Sequence, residues 1–338
     1  MGHRIALAFE DGVTRFIECG PNEVVADAAY RLGLNIPMDC RDGACGTCKS
    51  FCEQGKYTRG SYIEDAMTED EAKEGYVLTC QMKVQSDCVI RIAASSAVCK
   101  VKAEAFNTEL GEVRKLSPSS VGFSVKLASD AALKFLPGQY MNVTVPGTTQ
   151  TRSYSFSSMP KDGIVDFLVR NIPGGQMSTY LSQNAKSGDA LTMTGPIGSF
   201  YLREIKRPAL FLAGGTGLAP FIAMLDEIRS TGTSHPIHMI YGVTNDADLV
   251  ETDKLQAFAA DNSNFTFATV VADANSSHPR KGYVTHHLPD ELLNGGNVDI
   301  YLCGPPPMVD AVRSFLETKG IKPANFYYEK FSASERAK

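Results

Sequence analysis

Hydrophobic and polar positions divide the chain into three stretches of different rhythm. From His3 to Glu10 apolar and polar residues alternate, Asp11-Gly12 supplies a tight turn, and Val13 to Cys19 alternates again, which predicts a β-hairpin. Val24, Val25, Ala28, Ala29 and Leu32 then recur at helical spacing, with Asn22 as the expected cap and Gly33 as the stop. Gly75–Cys80 and Cys88–Ile92 read as closing strands, and the small, aperiodic run Ala93–Ala97 reads as a linker. These signals bound a first domain at residues 1–95 and a linker at 96–103.

From about Lys102 the pattern becomes a series of short strands: Glu112–Leu116, Val121–Leu127, Gln139–Val145, Arg152–Ser158 and Ile164–Arg170, with Pro-Gly and Asp-Gly turns between them. Evenly spaced short strands predict a closed antiparallel barrel over 104–206. After Pro208 the rhythm changes again. Ala209–Ala213, Ile237–Val243, Phe265–Val271 and Val298–Cys303 are apolar enough to be buried on both faces. Helical segments near Phe221–Arg229, Lys254–Ala260 and Met308–Thr318 separate them, so 207–338 is expected to be an α/β domain with a mostly parallel sheet. No internal repeat or low-complexity segment interrupts the three.

Composition narrows the class. At 338 residues, 43% hydrophobic and 21% charged, the chain is long enough for several cores and has an ordinary globular composition. A formal charge of -5 argues against a nucleic-acid binder, which would carry a basic stripe. The N-terminal residues reach Glu10 without a long apolar core, and no apolar run approaches a membrane span, so a cytoplasmic protein without membrane or nucleic-acid partners is expected. Nine cysteines, with no paired framework among Cys19, Cys52, Cys88, Cys99 and Cys303, suit a reducing compartment.

The strongest chemical signal is Cys40, four residues, Cys45, two residues, Cys48, and then Cys80 far downstream. That is the plant-type ligand spacing for a [2Fe-2S] cluster, with three thiolates converging from one loop and a fourth arriving from elsewhere. The small residues Gly43, Ala44 and Gly46 leave backbone N–H groups able to approach the sulfurs. Zinc and disulfide readings compete, but Cys80 has no partner in a short pair and no histidine lies between His3 and His235. Hairpin, helix, cysteine loop and strands together resemble the β-grasp fold of plant-type ferredoxins.

Arg152-Ser153-Tyr154-Ser155 is similar to the Arg-x-Tyr-Ser motif of the ferredoxin reductase family of flavoproteins. The resemblance implies Arg152 against the pyrophosphate of FAD, Tyr154 against the isoalloxazine, and Ser155 near the reactive nitrogen. Val169-Arg170 and Gly174-Gly175-Gln176-Met177-Ser178 match the family's second flavin segment, where glycines and a helix start would present N–H groups to a phosphate. Gly214-Gly215-Thr216-Gly217-Leu218-Ala219-Pro220 follows an apolar strand and precedes a helix. This could be a simple turn, or a dinucleotide loop with Pro220 where the third glycine of the usual fingerprint stands. Cys303-Gly304-Pro305 resembles the family's segment beside the nicotinamide, and Tyr328-Glu329-Lys330-Phe331 its terminal Glu-x-aromatic, although Phe326, Tyr327 and Phe331 equally suit a plain strand. Asp246 follows the strand ending at Val243 with no Arg or Lys before Lys254, which favours NADH over NADPH.

Nicotinamide delivers two electrons and a [2Fe-2S] cluster accepts one, so a flavin between them acts as converter, with electrons passing from NADH to FAD to cluster to an external acceptor. No Cys-x-His pairs of a Rieske centre, no His-His-Asp triad and no haem ligation stand out in the sequence, which places substrate oxidation in another protein. The domain order resembles the reductase components of bacterial ring-hydroxylating dioxygenases of the benzoate, toluate and anthranilate type. This implies Ser155, Cys303 and Glu329 as the hydride-transfer residues and a terminal Rieske-type oxygenase as partner. Reductases of soluble di-iron monooxygenases share the order, and a redox-sensing flavoprotein is the alternative from another class.

Overall fold

The computed structural model describes residues 2–100, 103–128 and 133–331. The chain divides into two compact units: one takes in everything up to Glu104 together with Gly195–Ser199, the other Ala105–Thr194 and the chain from Phe200 onward.

In the first unit β1 (His3–Phe9) and β2 (Thr14–Cys19) form the hairpin that the alternation predicts, and β1 also pairs in parallel with β7 (Cys88–Ile92). With β3 (Lys49–Gln54) and β5 (Tyr76–Leu78) they make a five-stranded sheet of order β2-β1-β7-β3-β5, and β4 (Tyr57–Thr58) and β6 (Lys83–Val84) form a separate pair. Ile5, Leu7 and Phe9 put every second side chain of β1 into a core shared with Val25, Ala28 and Ala29 of helix α1 (Val25–Arg31). Each large aliphatic side chain buried there contributes about 2 kcal/mol. A helix laid on a mixed sheet of this order is the β-grasp expected from the sequence.

The hydrophobic pattern misplaced or missed several elements. Asn22 does not cap α1; it occupies a left-handed turn at φ 63, and Val24 takes the cap position with no side-chain bond. Tertiary contacts replace the cap, since Val24 bridges to Lys83 and the Val25 N–H bonds to the Met82 carbonyl at 3.1 Å. Helix α2 (Glu69–Glu74) has a readable signature in Thr68-Glu69-Asp70-Glu71, where side chain and backbone of Thr68 and Glu71 bond reciprocally. The stretch read as a linker is packed: Ala94 is fully buried, and both the N–H and the hydroxyl of Ser96 donate to Asp11 at 2.8 Å. Val101 and Lys102 of that stretch lie outside the described residues.

The second unit opens with β8 (Glu104–Ser117), β9 (Ser120–Leu127), β10 (Tyr140–Thr144), β11 (Thr151–Ser155), β12 (Ile164–Arg170) and, after α3 (Gln176–Thr179), β13 (Ala190–Ile197). Their order is β11-β10-β13-β8-β9-β12, and a bridge from Phe156 to Phe167 brings the two edges together, closing a barrel filled by Phe123, Phe156, Phe167, Met141 and Val143. Sequence alternation gives only the last part of β8, because a bulge between Leu110 and Val113 breaks its period, and it does not reveal β13.

From Ala209 the chain builds β14 (Ala209–Gly214), α4 (Ala219–Thr231), β15 (Ile237–Val243), α5 (Thr252–Asp261) and β16 (Phe265–Val271), then α6 (Asp290–Leu293), β17 (Asp299–Gly304), α7 (Pro306–Thr318) and β18 (Asn325–Lys330). All five strands are parallel, in the order β16-β15-β14-β17-β18. β14 and β17 are buried at every position, as their continuous apolar runs require. The order reverses direction between β14 and β17, which opens a crevice at their carboxyl ends. No helix among the described residues is long and apolar enough to cross a membrane.

One ion pair in the first unit is buried. The Lys49 ammonium lies 2.8 Å from the Glu71 carboxylate, with side chains 14% and 4% exposed. Glu71→Gln, which removes the negative charge facing a buried ammonium, should cost ~3 kcal/mol in urea unfolding of this unit. A loss below about 1 kcal/mol would show the pair to be as weak as an exposed one.

Candidate functional site

The Cys40–Cys48 loop joins α1 to β3, and Cys80 sits in the turn just after β5, where Gln81 and Met82 N–H groups bond back to the Leu78 carbonyl at 2.9 Å. The chain leaves the strand two residues before the ligand, so Cys80 swings toward the loop and not along the sheet. The four sulfurs are linked in series: the Cys45 and Cys80 thiols hydrogen-bond to Cys40 and hold it well below the usual thiol range, and Cys80 lowers Cys48 in the same way. The Ala44 and Cys45 N–H groups also donate to Cys40 Sγ, each at 3.3 Å. Gly43 has φ +86, and a Cβ there would stand 2.3 Å from the Ser61 carbonyl oxygen, so only glycine lets the covering segment lie this close.

All nine cysteines are free thiols. Among the described residues no three His, Cys, Asp or Glu side chains close on a single metal ion. A group of four thiols with N–H donors aimed at one sulfur fits a larger, anionic-sulfur cluster, which Cys40, Cys45, Cys48 and Cys80 would hold.

The second constellation lies in the other unit, at the crevice between β14 and β17. Parallel register sets Cys303 opposite Glu329 across β17 and β18, and the Ser155 hydroxyl at the end of β11 donates to Glu329 Oε2 at 3.3 Å. Ser155 is 3% exposed and Cys303 fully buried. Burial, and after it the Glu329 charge, pushes the Cys303 thiol well above its ordinary value, so it is protonated at neutral pH. The three residues singled out for hydride transfer are therefore neighbours, although 174 positions separate Ser155 from Glu329. Phe331, directly after β18, donates its N–H to the Gly304 carbonyl at 2.8 Å and packs against the sheet's core.

The glycine turn runs from β14 through a 3₁₀ segment at Gly215–Leu218 straight into α4, with Pro220 buried in its first turn. The glycines divide the work. A Cβ on Gly217 would lie 2.3 Å from the Cys303 carbonyl oxygen, and one on Gly214 2.4 Å from Met308 Sδ, so these two permit strand-end packing. Gly215, at φ +54 with nothing within 4 Å, faces open space, and Thr216 beside it is half-buried. A diphosphate could approach the backbone at that point.

Around the barrel end, Arg152 is partly exposed, and its guanidinium donates to the Thr151 carbonyl at 2.7 Å and to Gln150 Oε1 at 3.0 Å. The Tyr154 ring stands edge-on to Phe123, centroids 6.0 Å apart, which fixes its plane. Arg170 is exposed at the end of β12, whereas the side chains of Val169 and Met177 are buried in the barrel core. The Ser178 hydroxyl is turned inward, accepting the Ile172 N–H at 2.8 Å. Val169, Met177 and Ser178 can therefore serve a ligand only through their main chain, while Gly175 and Gln176 stand at the start of α3 nearer solvent. Pro305 is exposed beside buried Gly304, and Asp246 is exposed, with Oδ1 accepting the Ser276 hydroxyl at 2.7 Å.

Sequence reading missed Ser276 and the residues that hold Asp248. Ser117 donates to Asp248 Oδ1 at 3.1 Å, Ser119 donates to the same oxygen, and Arg114 lies 3.4 Å from Glu251. Their only trace in the sequence is a Ser-Pro-Ser turn, which signals a loop and not its partner.

Residues 8–85 match the family described as 2Fe-2S iron-sulfur cluster binding domain, 107–201 the Oxidoreductase FAD-binding domain, and 211–314 the Oxidoreductase NAD-binding domain. The chain is 60% identical to the toluate 1,2-dioxygenase electron transfer component of Pseudomonas putida, over 99% of this chain and 100% of that one. It is 50% identical to the 2-halobenzoate 1,2-dioxygenase electron transfer component of Burkholderia cepacia, over 98% of each. Among solved structures a cytochrome P450 reductase of Amycolatopsis superposes with a TM-score of 0.72 at 27% identity, over 98% of this chain and 100% of that one. A four-cysteine constellation, a flavin-type barrel and a switch-point crevice thus stand in one chain that aligns from end to end with these oxidoreductases, and it belongs to the family of electron transfer components of aromatic-ring 1,2-dioxygenases, with 2Fe-2S, FAD- and NAD-binding domains.

Proposed function

We propose that the chain is a cytoplasmic, NADH-dependent reductase that delivers single electrons to a terminal Rieske-type oxygenase acting on a benzoate-class aromatic acid. The observation that carries this reading is the convergence of Ser155, Cys303 and Glu329 at the sheet's switch point in a chain that also gathers the thiols of Cys40, Cys45, Cys48 and Cys80. The substrate class is supported by the relatives, since toluate and 2-halobenzoate are both substituted benzoates.

The bound flavin would supply the conversion between a two-electron hydride donor and a one-electron cluster. Arg152 and the main chain at Gly175–Ser178 would hold its phosphates, and Tyr154 and Phe331 would flank its ring. Ser155 holds a hydroxyl proton directed at Glu329, so the pair can donate or accept a hydrogen bond at a reacting nitrogen without exposing it to water. Cys303, kept protonated, forms a neutral wall and not a base. The diphosphate of the nicotinamide dinucleotide would lie over Gly215, and Asp246 would face the adenosine ribose. A carboxylate there suits a free 2′-hydroxyl and repels a 2′-phosphate, which is the basis for preferring NADH.

Glu329→Gln should slow reduction of the flavin by NADH about 100-fold in stopped-flow traces while flavin content stays normal, and Cys303→Ser, which replaces one neutral wall group by another, should slow it less; unchanged rates in both would remove these residues from the hydride site. Because the Cys303 thiol is shifted upward, the rate should show no cysteine ionisation near the ordinary value of ~8.5, and an inflection there that vanishes in Cys303→Ser would contradict the neutral-wall role. Cys45→Ser should abolish the reduced-cluster EPR signal and electron delivery to external acceptors, yet leave flavin bleaching by NADH intact. Equal loss of both would refute separate roles for the two sites.

A further inference from the structure

The loop that carries Asp246 is held from two sides: its own sheet bonds the main chain, with the Tyr241 hydroxyl donating to the Asp248 carbonyl at 3.1 Å and the Asp273 N–H to the Thr244 carbonyl at 2.9 Å, and the flavin barrel holds the side chains of Asp248 and Glu251. It leaves β15 at Thr244, makes a 3₁₀ turn at Asp246–Asp248, and ends at Glu251, where α5 begins. Asp248 Oδ1 accepts the hydroxyls of Ser117 and Ser119, which face each other across the β8–β9 turn, and the Ser119 N–H bonds to Ser117 Oγ at 3.1 Å. Asp248 Oδ2 accepts the Asn245 amide at 3.2 Å, tying the start of the turn to its end. Glu251 is a non-glycine residue at φ 56, a conformation that costs energy and persists only where surroundings impose it. Its carboxylate, 8% exposed, is set between Arg114 of β8 at 3.4 Å and Lys254 at 3.0 Å.

We propose that the barrel residues Ser117, Ser119 and Arg114 are positioning residues for the adenosine end of the nicotinamide site: by fixing Asp248 and Glu251 they set where Asp246 stands, and so tune affinity and the choice between NADH and NADPH. The inference rests on the reading of Asp246 given above. Between the two fixed points Asp246 has little freedom, because Ser276 holds its side chain from the loop after β16. Mere adhesion between barrel and sheet would need no strained residue and no paired hydroxyls on the single loop that leaves β15. Burial works against the Asp248 charge, but the bonds from Ser119, Asn245 and Ser117 outweigh it and hold the carboxyl below its ordinary range. The bonds are therefore intact at neutral pH and are lost only as pH falls through that lowered value.

The test uses the full-length holoprotein and stopped-flow reduction of its flavin at varied NADH and NADPH. In Ser117→Ala/Ser119→Ala the apparent Kd for NADH should rise about tenfold, only part of what two bonds to a charged acceptor are worth, because the serines hold the loop and do not touch the nucleotide. The limiting rate should stay within about twofold, because Ser155, Cys303 and Glu329 are untouched. The NADH:NADPH preference should fall in the same variant, and Ser117→Thr/Ser119→Thr should restore both. Asp248→Asn, which keeps the shape of the side chain, should move affinity and preference in the same direction and stands in should the double variant not fold. Unchanged affinity and preference, with only a lower melting temperature, would overturn the proposal. Asp246→Ala separates the two levels: if it leaves the NADH:NADPH ratio alone, the adenosine reading itself fails. If it shifts the ratio while the Ser117/Ser119 and Asp248 variants do not, only the positioning role fails.

Discussion

The register of β17 against β18 is the constraint on which the hydride site depends. Because side chains alternate along a strand, a one-residue slip would turn Glu329 away from Ser155 and leave Cys303 facing a different neighbour. That register is held by a crevice packed without slack. Gly217 lies against the Cys303 carbonyl so closely that a single added carbon would collide, and the Phe331 N–H closes the end of β18 onto Gly304. The carboxylate and hydroxyl thus gain their geometry from backbone packing on three different strands and not from one flexible loop.

The cluster loop follows the same logic with different materials. Four thiols brought together would repel one another once ionised, so the loop needs both donors aimed at sulfur and a cover that keeps the chain in place. Ala44 and Cys45 supply the donors, and the segment through Ser61 and Ile63 supplies the cover, with the Ile63 N–H bonded to the Gly43 carbonyl at 3.2 Å. Glycine at 43 is what allows the two segments to touch, and α2, paired to β3 through Glu71 and Lys49, packs Ala72 into the same buried cluster as Cys48 and Cys80.

Much of this was legible in the chain itself, for identifiable reasons. The cysteine spacing is local and has few alternative uses, and the continuous apolar runs of β14 and β17 state plainly that both faces are buried. What sequence could not give were long-range substitutions for local rules. Asn22 has the chemistry of a cap, yet Val24 takes that place because Met82 and Lys83 satisfy the backbone. Met177 and Ser178 belong to a flavin-type motif, yet the Met177 side chain is buried in the barrel core and the Ser178 hydroxyl is bonded to the Ile172 N–H. Gly214 and Gly217 read as phosphate-binding positions, but space around them shows that they serve packing, leaving Gly215 as the open one. The hold on Asp248 joins residues 131 and 129 positions apart, beyond the reach of any periodicity.

The central claim is that one chain takes hydride from NADH and passes single electrons to a [2Fe-2S] cluster. The direct measurement is an anaerobic titration of the holoprotein with NADH, followed by visible absorption and low-temperature EPR. Bleaching of both flavin and iron–sulfur bands, with the signal of a reduced [2Fe-2S] cluster, is the expected result. Flavin bleaching with no such signal would contradict the account.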